Sequence, residues 1–306
     1  MPVIITGGAG LIGRALAEHL LRDNHAVVLL SRQPEKMRGH PRGARVEKWD
    51  GKTGAGWAHL AEGADAIVNL AGESIGIPPL PWLGKKKARI LASRVDATRA
   101  VADAIARVKN KPRVVIQASA VGYYGLPGDQ VLTEDSPVGK DFLAEVCAQW
   151  EAASQEIQAQ GVRRVVIRTG HFLSRAGGLL PYAALPFYFF VGGSLGDGKQ
   201  WWSWIHARDA AHALRFLIEN ENARGIFNLC APQPATNAEF ARTLGRVLRR
   251  PAFFPAPAFA FKLFLGEMAG LTILAGQRAI PKRLQEAGFK FEFEKLEEAL
   301  RDLFKR

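Results

Sequence analysis

The most constraining feature of the sequence is a glycine-rich segment close to its beginning. Residues 6–13 are Thr-Gly-Gly-Ala-Gly-Leu-Ile-Gly, and they follow a short apolar run directly. Beyond them, apolar residues recur at helical spacing, at Leu11, Ala15, Leu16 and Leu20. A strand, a tight turn and a helix are the context in which such glycines approach the pyrophosphate of a dinucleotide.

Three glycines of this segment have a predicted role. Gly7 permits the turn, Gly10 lets the backbone approach a pyrophosphate, and Gly13 lets the helix pack on the strand. The backbone N–H groups of Leu11 and Ile12 belong to the first helical turn, whose positive dipole end favours phosphate oxygens. The alternative is a plain tight turn between strand and helix. The surrounding pattern favours a dinucleotide site.

The end of the second strand indicates which dinucleotide is bound. Ala26–Leu30 is apolar, so the position that contacts the adenosine ribose falls on Ser31 and Arg32. Proteins that prefer NAD place a carboxylate there, which would repel a 2′-phosphate. Arg32 can hold that phosphate through two hydrogen bonds, and Ser31 can donate beside it. The alternative is that Arg32 is a solvated loop residue before Pro34. We predict NADP(H).

Composition is that of an ordinary globular protein. The chain has 306 residues, of which 48% are hydrophobic and 23% are charged. Its two cysteines, Cys147 and Cys230, are far apart and have no metal-ligand cluster around them, so neither a disulfide framework nor a metal site is predicted. This pattern suits a reducing cytoplasm. The first strand begins at the N-terminus without a preceding basic stretch, which argues against a signal peptide.

Two apolar segments and a positive net charge raise the question of membranes and nucleic acids. Ala183–Val191 is too short to span a bilayer, and prolines and charges interrupt Ala252–Ala275, so we expect both to be buried or to line a substrate site. The net charge is +12, but its densest group, around Lys85–Lys87, is typical of a solvated helix face. We predict no nucleic-acid or membrane partner. The predicted partner is a small-molecule substrate, bound by a monomer or homodimer.

Apolar runs alternate with longer amphipathic runs, which predicts an α/β fold of the Rossmann type with a doubly wound parallel sheet. Strands are predicted at Val3–Thr6, Ala26–Leu30, Arg45–Trp49, Ala66–Leu70, Arg113–Ala118, Arg164–Arg168 and Gly225–Leu229. Helices are predicted at Leu11–Arg22, Lys85–Val108, Asp141–Gln160, Arg208–Asn220 and Glu294–Phe304. Ligands of such sheets lie at the carboxyl ends of the strands, so the loops from Thr6, Ser31, Leu70, Ser119 and Thr169 are expected to matter.

The composition of the sequence changes after about residue 170, where glycines and aromatic residues become frequent. We expect residues 1–170 to form the NADP-binding domain, with its sheet completed by about residues 200–232. Residues 171–199 and 233–306 are expected to form a smaller C-terminal lobe on the substrate side.

The chain resembles the extended short-chain dehydrogenase/reductase superfamily over its whole length. More closely, it resembles the atypical, YfcH-like branch of epimerase/dehydratase proteins that carry a C-terminal domain of unknown function. The combination of segments that carries the resemblance is Asn69–Glu73, Trp82 with Lys87 and Ser93-Arg94, Ser119–Gly125, Trp150-Glu151, Arg168–Gly170, Gly198–Trp201, Trp204–His206 and Pro281–Phe289.

The resemblance also implies cofactor contacts. It places Leu70, Ala71 and Gly72 in the backbone wall beside the adenosine ribose and phosphates. It places Arg94 on a helix pointing toward the cofactor, where a positive charge suits a pyrophosphate or ribose contact. The alternative for Arg94 is an arginine on the surface of a long helix.

The usual catalytic pair of the superfamily, Tyr-x-x-x-Lys on one helix, is missing. No tyrosine has lysine four residues later, and Leu143 and Cys147 stand at the matching helix positions. The strand-end serine is retained as Ser119, although Ala120 is an alternative alignment. Tyr123, with Tyr124 as an alternative, is the predicted proton donor. Cys147 is expected to be a small core residue or, less favoured, a thiol acid.

Two histidines and a tryptophan cluster complete the candidate residues. His171 follows a strand end and is a candidate to reach the nicotinamide or the substrate. His206 begins a helix and is expected to cap it or to pack. The tryptophans of residues 201–204 are expected in the core, with a substrate role as the alternative.

Two functions of different class follow from these patterns. The favoured one is an NADP(H)-dependent oxidoreductase or epimerase-like enzyme acting on a sugar nucleotide or a small carbonyl compound, with a rearranged acid and base. The alternative is a catalytically silent NADP(H)-binding protein that senses redox state or acts as a scaffold. The aromatic- and glycine-rich C-terminal part favours the enzyme, and the missing tyrosine–lysine pair favours the alternative.

Overall fold

The computed structural model describes residues 1–37, 39–76 and 78–305, in which strands and helices alternate. The strands are β1 Pro2–Thr6, β2 Ala26–Ser31, β3 Arg45–Lys48, β4 Ala66–Asn69, β5 Val114–Ala120, β6 Val131–Leu132, β7 Arg163–Thr169, β8 His171–Leu173, β9 Trp201–Trp202, β10 Trp204–His206, β11 Gly225–Leu229, β12 Ala235–Thr236 and β13 Arg278–Ala279. The helices are α1 Leu11–Arg22, α2 Lys86–Ala106, α3 Phe142–Ala153, α4 Gln155–Ala159, α5 Leu179–Tyr188, α6 Ala207–Glu219, α7 Asn237–Leu248, α8 Ala258–Leu265, α9 Lys282–Glu286 and α10 Leu296–Leu303.

The central sheet has seven parallel strands in the order β11-β7-β5-β4-β1-β2-β3. The chain winds from β1 outward through β2 to β3 and then returns to the other side of β1 with β4. The strand order therefore reverses between β1 and β4, and a crevice opens at the carboxyl ends of these strands, where open parallel sheets bind their ligands. The predicted Rossmann-type fold class is confirmed.

Helices cover both faces of the sheet, because its inner strands are apolar on both sides. On one face, α1 and α6 bury Leu16, Leu20, Leu214 and Leu217 against β1 and its neighbours. On the other face, α2 buries Ala97, Val101 and Ile105. A third apolar core, under α5, α7 and α10, is built around Phe187, Trp202, Trp204 and Phe240.

Most predicted elements agree with the structure to within two residues at each end. The predicted helix Asp141–Gln160 is the exception, because it is interrupted at Ser154 between α3 and α4. The Ser154 hydroxyl donates to the carbonyl oxygen of Glu151 at 2.6 Å and so ends the first helix through a local side-chain bond. The Trp202 and Trp204 side chains lie in the core, as expected.

The expectation for the two apolar segments was only partly right. Parts of both segments line a cavity described below, but many of their large side chains are not buried. On α8, Phe259, Leu263 and Phe264 are 71–75% exposed. In the described ranges, no helix combines the length and the apolarity needed to cross a membrane.

The division into two lobes stays a prediction. The short strand β13 pairs in parallel with β6, so residues of the proposed C-terminal lobe hydrogen-bond with residues before the boundary near position 170. The two parts are thus joined by backbone pairing between β6 and β13.

Candidate active site

The glycine-rich turn between β1 and α1 forms a cradle whose one side chain is the methyl group of Ala9. Gly7 has a φ of +66°, and a Cβ there would lie 2.7 Å from the carbonyl oxygen of Leu70. A Cβ on Gly13 would lie 2.8 Å from the carbonyl oxygen of Gly7. A Cβ on Gly10 would meet only that same oxygen, at 3.1 Å. Gly7 and Gly13 are thus required by the fold, whereas the role of Gly10 in approaching a pyrophosphate stays a prediction.

The first turn of α1 has no cap of its own. Gly10 occupies the N-cap position without a side chain, and the first turn contains no acidic residue. The N–H groups of Leu11, Ile12 and Gly13 belong to this turn and have no partner within the helix. The start of α1 therefore offers hydrogen-bond donors and a positive dipole end to an anion.

A buried polar chain fixes the wall opposite this cradle. The Thr6 hydroxyl accepts hydrogen bonds from the backbone N–H groups of Leu70 and Ala71, at 3.1 and 3.2 Å, and donates to Asn69 at 2.6 Å. The Asn69 amide in turn donates to Gln117 of β5 at 2.9 Å. These bonds tie the carboxyl ends of β1, β4 and β5 together and hold the backbone that begins at Leu70 in place.

The cradle opens into a cleft of about 610 Å³ that runs to the ends of β2 and β3. Ser31 and Arg32 line this end, as predicted, and Lys36 and Lys52 line it with them. The carboxylate of Asp50 accepts from the backbone N–H groups of Lys52 and Thr53 at 2.7 and 2.8 Å, so its charge is engaged in a turn. Three cations thus surround the far end of the cleft.

The sequence interpretation missed Lys36 and Lys52. The available signal was their place in the loops that follow β2 and β3. Because neighbouring parallel strands end at the same edge of a sheet, cations in these two loops come close together.

Arg94 follows Ser93, which lines the cleft, and is only 7% exposed. Its Nη1 atom donates to the carbonyl oxygens of Ile90, at 2.8 Å, and Glu73, at 3.1 Å. In the described part of the chain Arg94 forms no ion pair, although burial of a guanidinium is costly without a counter-charge. Burial lowers the pKa of Arg94 from its usual value. A Cβ on Gly72 would lie 3.2 Å from the guanidinium carbon, so this glycine allows the close approach.

Arg94 lines a second cavity, of about 170 Å³, which is called here the inner cavity. Leu143 and Cys147 of α3 line it, at the positions where the superfamily has tyrosine and lysine. Thr169 and Gln277 supply polar groups on the other walls. The structure therefore places Leu143 and Cys147 together in the wall of the inner cavity.

Ser119, at the end of β5, is buried in a polar network. Its hydroxyl donates to Oε1 of Glu151 at 2.6 Å. The Glu151 carboxylate also accepts two hydrogen bonds, each of 2.9 Å, from the guanidinium of Arg168, which is 1% exposed. Ser119 also contacts the thiol of Cys147. Glu151 and Arg168 belong to the segments that carry the family resemblance, but no role was predicted for them. In the structure they form a buried ion pair.

Tyr123 and Tyr124 follow Ser119 in a short turn. The guanidinium of Arg168 lies over the Tyr123 ring, 3.4 Å from its centre, so this ring packs against the network. The Tyr124 hydroxyl donates to Asn228 at 2.6 Å and accepts from Arg168 at 3.1 Å. Burial raises the pKa of Tyr124 to about 12, so this phenol stays protonated at neutral pH. The catalytic roles of Ser119 and Tyr123 stay predictions.

The other candidate acid–base groups are neutral at pH 7. Burial raises the pKa of the Cys147 thiol to about 11, in keeping with the expected core residue. Burial lowers the pKa of His171 to about 4, and its ring stacks on Trp202 with 5.0 Å between centres. His206 caps α6 by accepting from the Arg208 backbone N–H at 3.0 Å, which confirms its predicted role.

Comparison with known proteins agrees with this geometry. Residues 3–230 match the model of the NAD dependent epimerase/dehydratase family, and residues 256–303 match a domain of unknown function, DUF1731. The epimerase family protein YfhF of Bacillus subtilis is 41% identical over 99% of this chain and 98% of its own length.

Two solved structures extend the comparison. The human epimerase family protein SDR39U1 (isoform 2), crystallised with NADPH, is 34% identical, covers 99% of both chains and superposes with a TM-score of 0.87. A UDP-N-acetylglucosamine 4-epimerase of Methanobrevibacter ruminantium is 19% identical with a TM-score of 0.75, over 99% of this chain and 96% of its own. The second likeness concerns the fold alone.

Proposed function

The chain belongs to the NAD-dependent epimerase/dehydratase family, and from that premise we propose that it is an NADP(H)-dependent oxidoreductase acting on the carbonyl group of a small molecule. The observation that carries the proposal is the inner cavity, which Arg94 lines while its neighbour Ser93 lines the cleft. Arg94 is a buried cation that forms no ion pair in the described residues. A cavity of this kind beside a dinucleotide cleft provides space for a second reactant.

The residues of the cleft fit NADP(H). The uncapped N–H groups of α1 would hold the pyrophosphate, and Leu70–Gly72 would line the opposite side. Arg32, with Ser31 beside it, would hold the 2′-phosphate, and Lys36 and Lys52 would add positive charge there. A similar human protein was crystallised with NADPH, which supports the assignment. When bound, this cofactor supplies or accepts a hydride.

Arg94 is the residue best placed to act on a carbonyl oxygen. It is charged at every physiological pH, and both of its described hydrogen bonds use a single nitrogen, Nη1. A guanidinium in a buried site stabilises negative charge that develops on a carbonyl oxygen far better than it does in water. We therefore add Arg94 to Ser119 and Tyr123, which remain the predicted orienting residue and proton donor.

The test is a screen of aldehydes, ketones and sugar nucleotides, followed by NADPH absorbance and by product analysis to detect epimerisation. With a positive substrate, Arg94→Gln and Ser119→Ala should each reduce kcat by about 10²–10⁴-fold. Cys147→Ser, a change in the same wall, should reduce it far less. Full activity in Ser119→Ala with a collapse in Cys147→Ser would overturn these assignments.

A second function is favoured by one observation, the presence of Leu143 and Cys147 where an acid and a base are usual. In that case the protein would bind NADP(H) without turning over a substrate. Stoichiometric NADPH binding without turnover of any member of the screen would support this alternative over the enzyme.

A further inference from the structure

We propose that the substrate of this site is a carbonyl compound with an apolar tail rather than a sugar nucleotide. This inference rests on the proposed function, and it concerns a third cavity, of about 300 Å³, on the substrate side of the molecule. The walls of this cavity, called here the tail cavity, come from α5, α7, α8 and the segments around residues 76, 193, 254 and 273.

The lining of the tail cavity is almost entirely apolar. Representative residues are Ala183, Phe187, Phe240, Leu244, Phe261 and Ile273. The described lining contains no charged side chain. Its one amide, that of Asn237, already accepts a hydrogen bond from the Leu195 backbone N–H at 2.7 Å. A nucleoside diphosphate placed here would lose its hydration without gaining partners, which is a large cost for a charged group.

The tail cavity shares walls with the inner cavity beside Arg94. Ile75 lines the inner cavity, and its neighbour Gly76 lines the tail cavity. Thr272 lines the inner cavity, and its neighbour Ile273 lines the tail cavity. His171 of the inner cavity stacks on Trp202, which lines the tail cavity. A ligand with its carbonyl group at Arg94 therefore has an apolar space next to it for the rest of its chain.

The surface around the tail cavity is apolar as well. On α8, one of the helices that line the cavity, Phe259, Leu263 and Phe264 are 71–75% exposed. Exposed apolar residues that are clustered, rather than scattered singly, mark binding sites more often than ordinary surface. The apolar character thus extends from the inner wall to the outside, as expected of an entry route for an apolar ligand.

The first test measures binding rather than turnover, with the NADPH-loaded protein and n-butanol, n-hexanol and n-octanol as unreactive probes. Each buried methylene should lower the dissociation constant about fourfold, because the free energy of its transfer from water to an apolar site is favourable. Calorimetry gives the dissociation constants, and UDP-glucose is titrated in parallel. Equal affinity for the three alcohols, or tighter binding of UDP-glucose than of n-octanol, would overturn the proposal.

Two variants of one helix locate the site. Ala183→Trp fills the tail cavity from α5 and should abolish the dependence on chain length, whereas Leu185→Trp adds the same side chain to the exposed face of α5 and should preserve it. The dissociation constant for NADPH should not change in either variant. Retention of chain-length dependence in a folded Ala183→Trp protein would contradict the proposal.

Turnover of the matching aldehydes separates this inference from the proposed function. Alcohols that bind with chain-length dependence, together with aldehydes that are not reduced, would refute the oxidoreductase and leave the apolar site supported. Aldehydes reduced at the same kcat/KM for every chain length would support the oxidoreductase and refute the assignment of the tail cavity as the site of the substrate's apolar chain.

Discussion

Three arginines show how one side chain serves three purposes in this protein. Arg168 is buried and neutralised by Glu151, and Arg94 is buried without a described ion pair. Arg32 is exposed at the mouth of the cleft. The first is typical of structural ion pairs, whereas we propose that the other two meet charges that a ligand brings. These arginines differ in how deeply the side chain is buried and in whether it forms an ion pair, and only the fold decides both.

Arg32→Ala should weaken NADPH binding about tenfold and leave NADH binding nearly unchanged. A charge-assisted hydrogen bond contributes about 1.5–3 kcal/mol, and the exposure of Arg32 together with the remaining Lys36 and Lys52 favours the lower value. Fluorescence titration of both cofactors measures the effect. Arg45→Ala, which removes an exposed arginine paired with Glu47, is the control. An unchanged preference for NADPH in Arg32→Ala would refute the assignment of the 2′-phosphate site.

At the scale of elements, strands and helices could be predicted well because their signal is local. A run of β-branched residues or a helical apolar face is visible in any short window, and the seven strands of the sheet were all found. The break at Ser154 was missed because it depends on a single hydroxyl that bonds to the carbonyl oxygen of Glu151. Ala, Gln and Glu, which dominate that stretch, favour a continuous helix.

Two substitutions in the turn between β1 and α1 should distinguish a loss of NADPH binding from a loss of stability. Gly10→Val should abolish NADPH binding and lower the Tm less than Gly13→Ala, because Gly10 has extended backbone angles and its Cβ would contact a single atom, the carbonyl oxygen of Gly7 at 3.1 Å. Gly13→Ala should instead destabilise the fold by about 1–3 kcal/mol, because its Cβ would press on backbone atoms of Gly7 and Gly8. Calorimetric titration and thermal melts decide the two cases. NADPH binding at full strength in Gly10→Val would place the phosphate site elsewhere.

The ion pair of Glu151 and Arg168 joins α3 to β7 and should be costly to break by removal of one partner. Glu151→Gln would leave a buried guanidinium without a counter-charge, which costs about 3–5 kcal/mol in comparable cases. Urea denaturation gives the free energy of unfolding. Glu156→Gln, an exposed change on α4, should cost almost nothing. Similar values for both variants would mean that solvent or a rearrangement replaces the pair.

At the scale of the whole molecule, stability should decrease as the pH falls from 6.5 to 4. Burial lowers the pKa of both His171 and His206 from 6.5 to about 4, so the unfolded chain binds protons in this window that the folded chain does not. The stability is complete above pH 6.5 and is lost as the pH approaches 4. For His206 the difference corresponds to about 3 kcal/mol.

His206→Asn keeps an acceptor at the N-cap of α6 and should flatten the dependence of Tm on pH in that window. Thermal melts at several pH values measure it, with His59→Asn, an exposed histidine, as the control. An unchanged slope in His206→Asn would show that other groups cause the loss of stability.

The candidate site was predictable only where local sequence defines it. The glycine turn, Ser31 and Arg32 lie directly at strand ends, so their meeting in one cleft followed from the parallel sheet. The partners of Ser119 did not follow, since Glu151 and Arg168 come from two later elements and meet only through tertiary packing. The tail cavity was likewise invisible, because its walls come from segments about 200 residues apart, from Gly76 to Ile273.

The uncapped start of α1 has a thermodynamic consequence for the protein without its cofactor. Because Gly10 supplies no side chain and the first turn has no carboxylate, we expect an anion from the solution to complete the end of the helix. Any anion that binds only the folded chain raises its apparent stability by mass action, in proportion to the logarithm of its concentration relative to its dissociation constant. Phosphate or sulfate buffers would thus stabilise the empty protein and, through the same contacts, compete with the dinucleotide for its place.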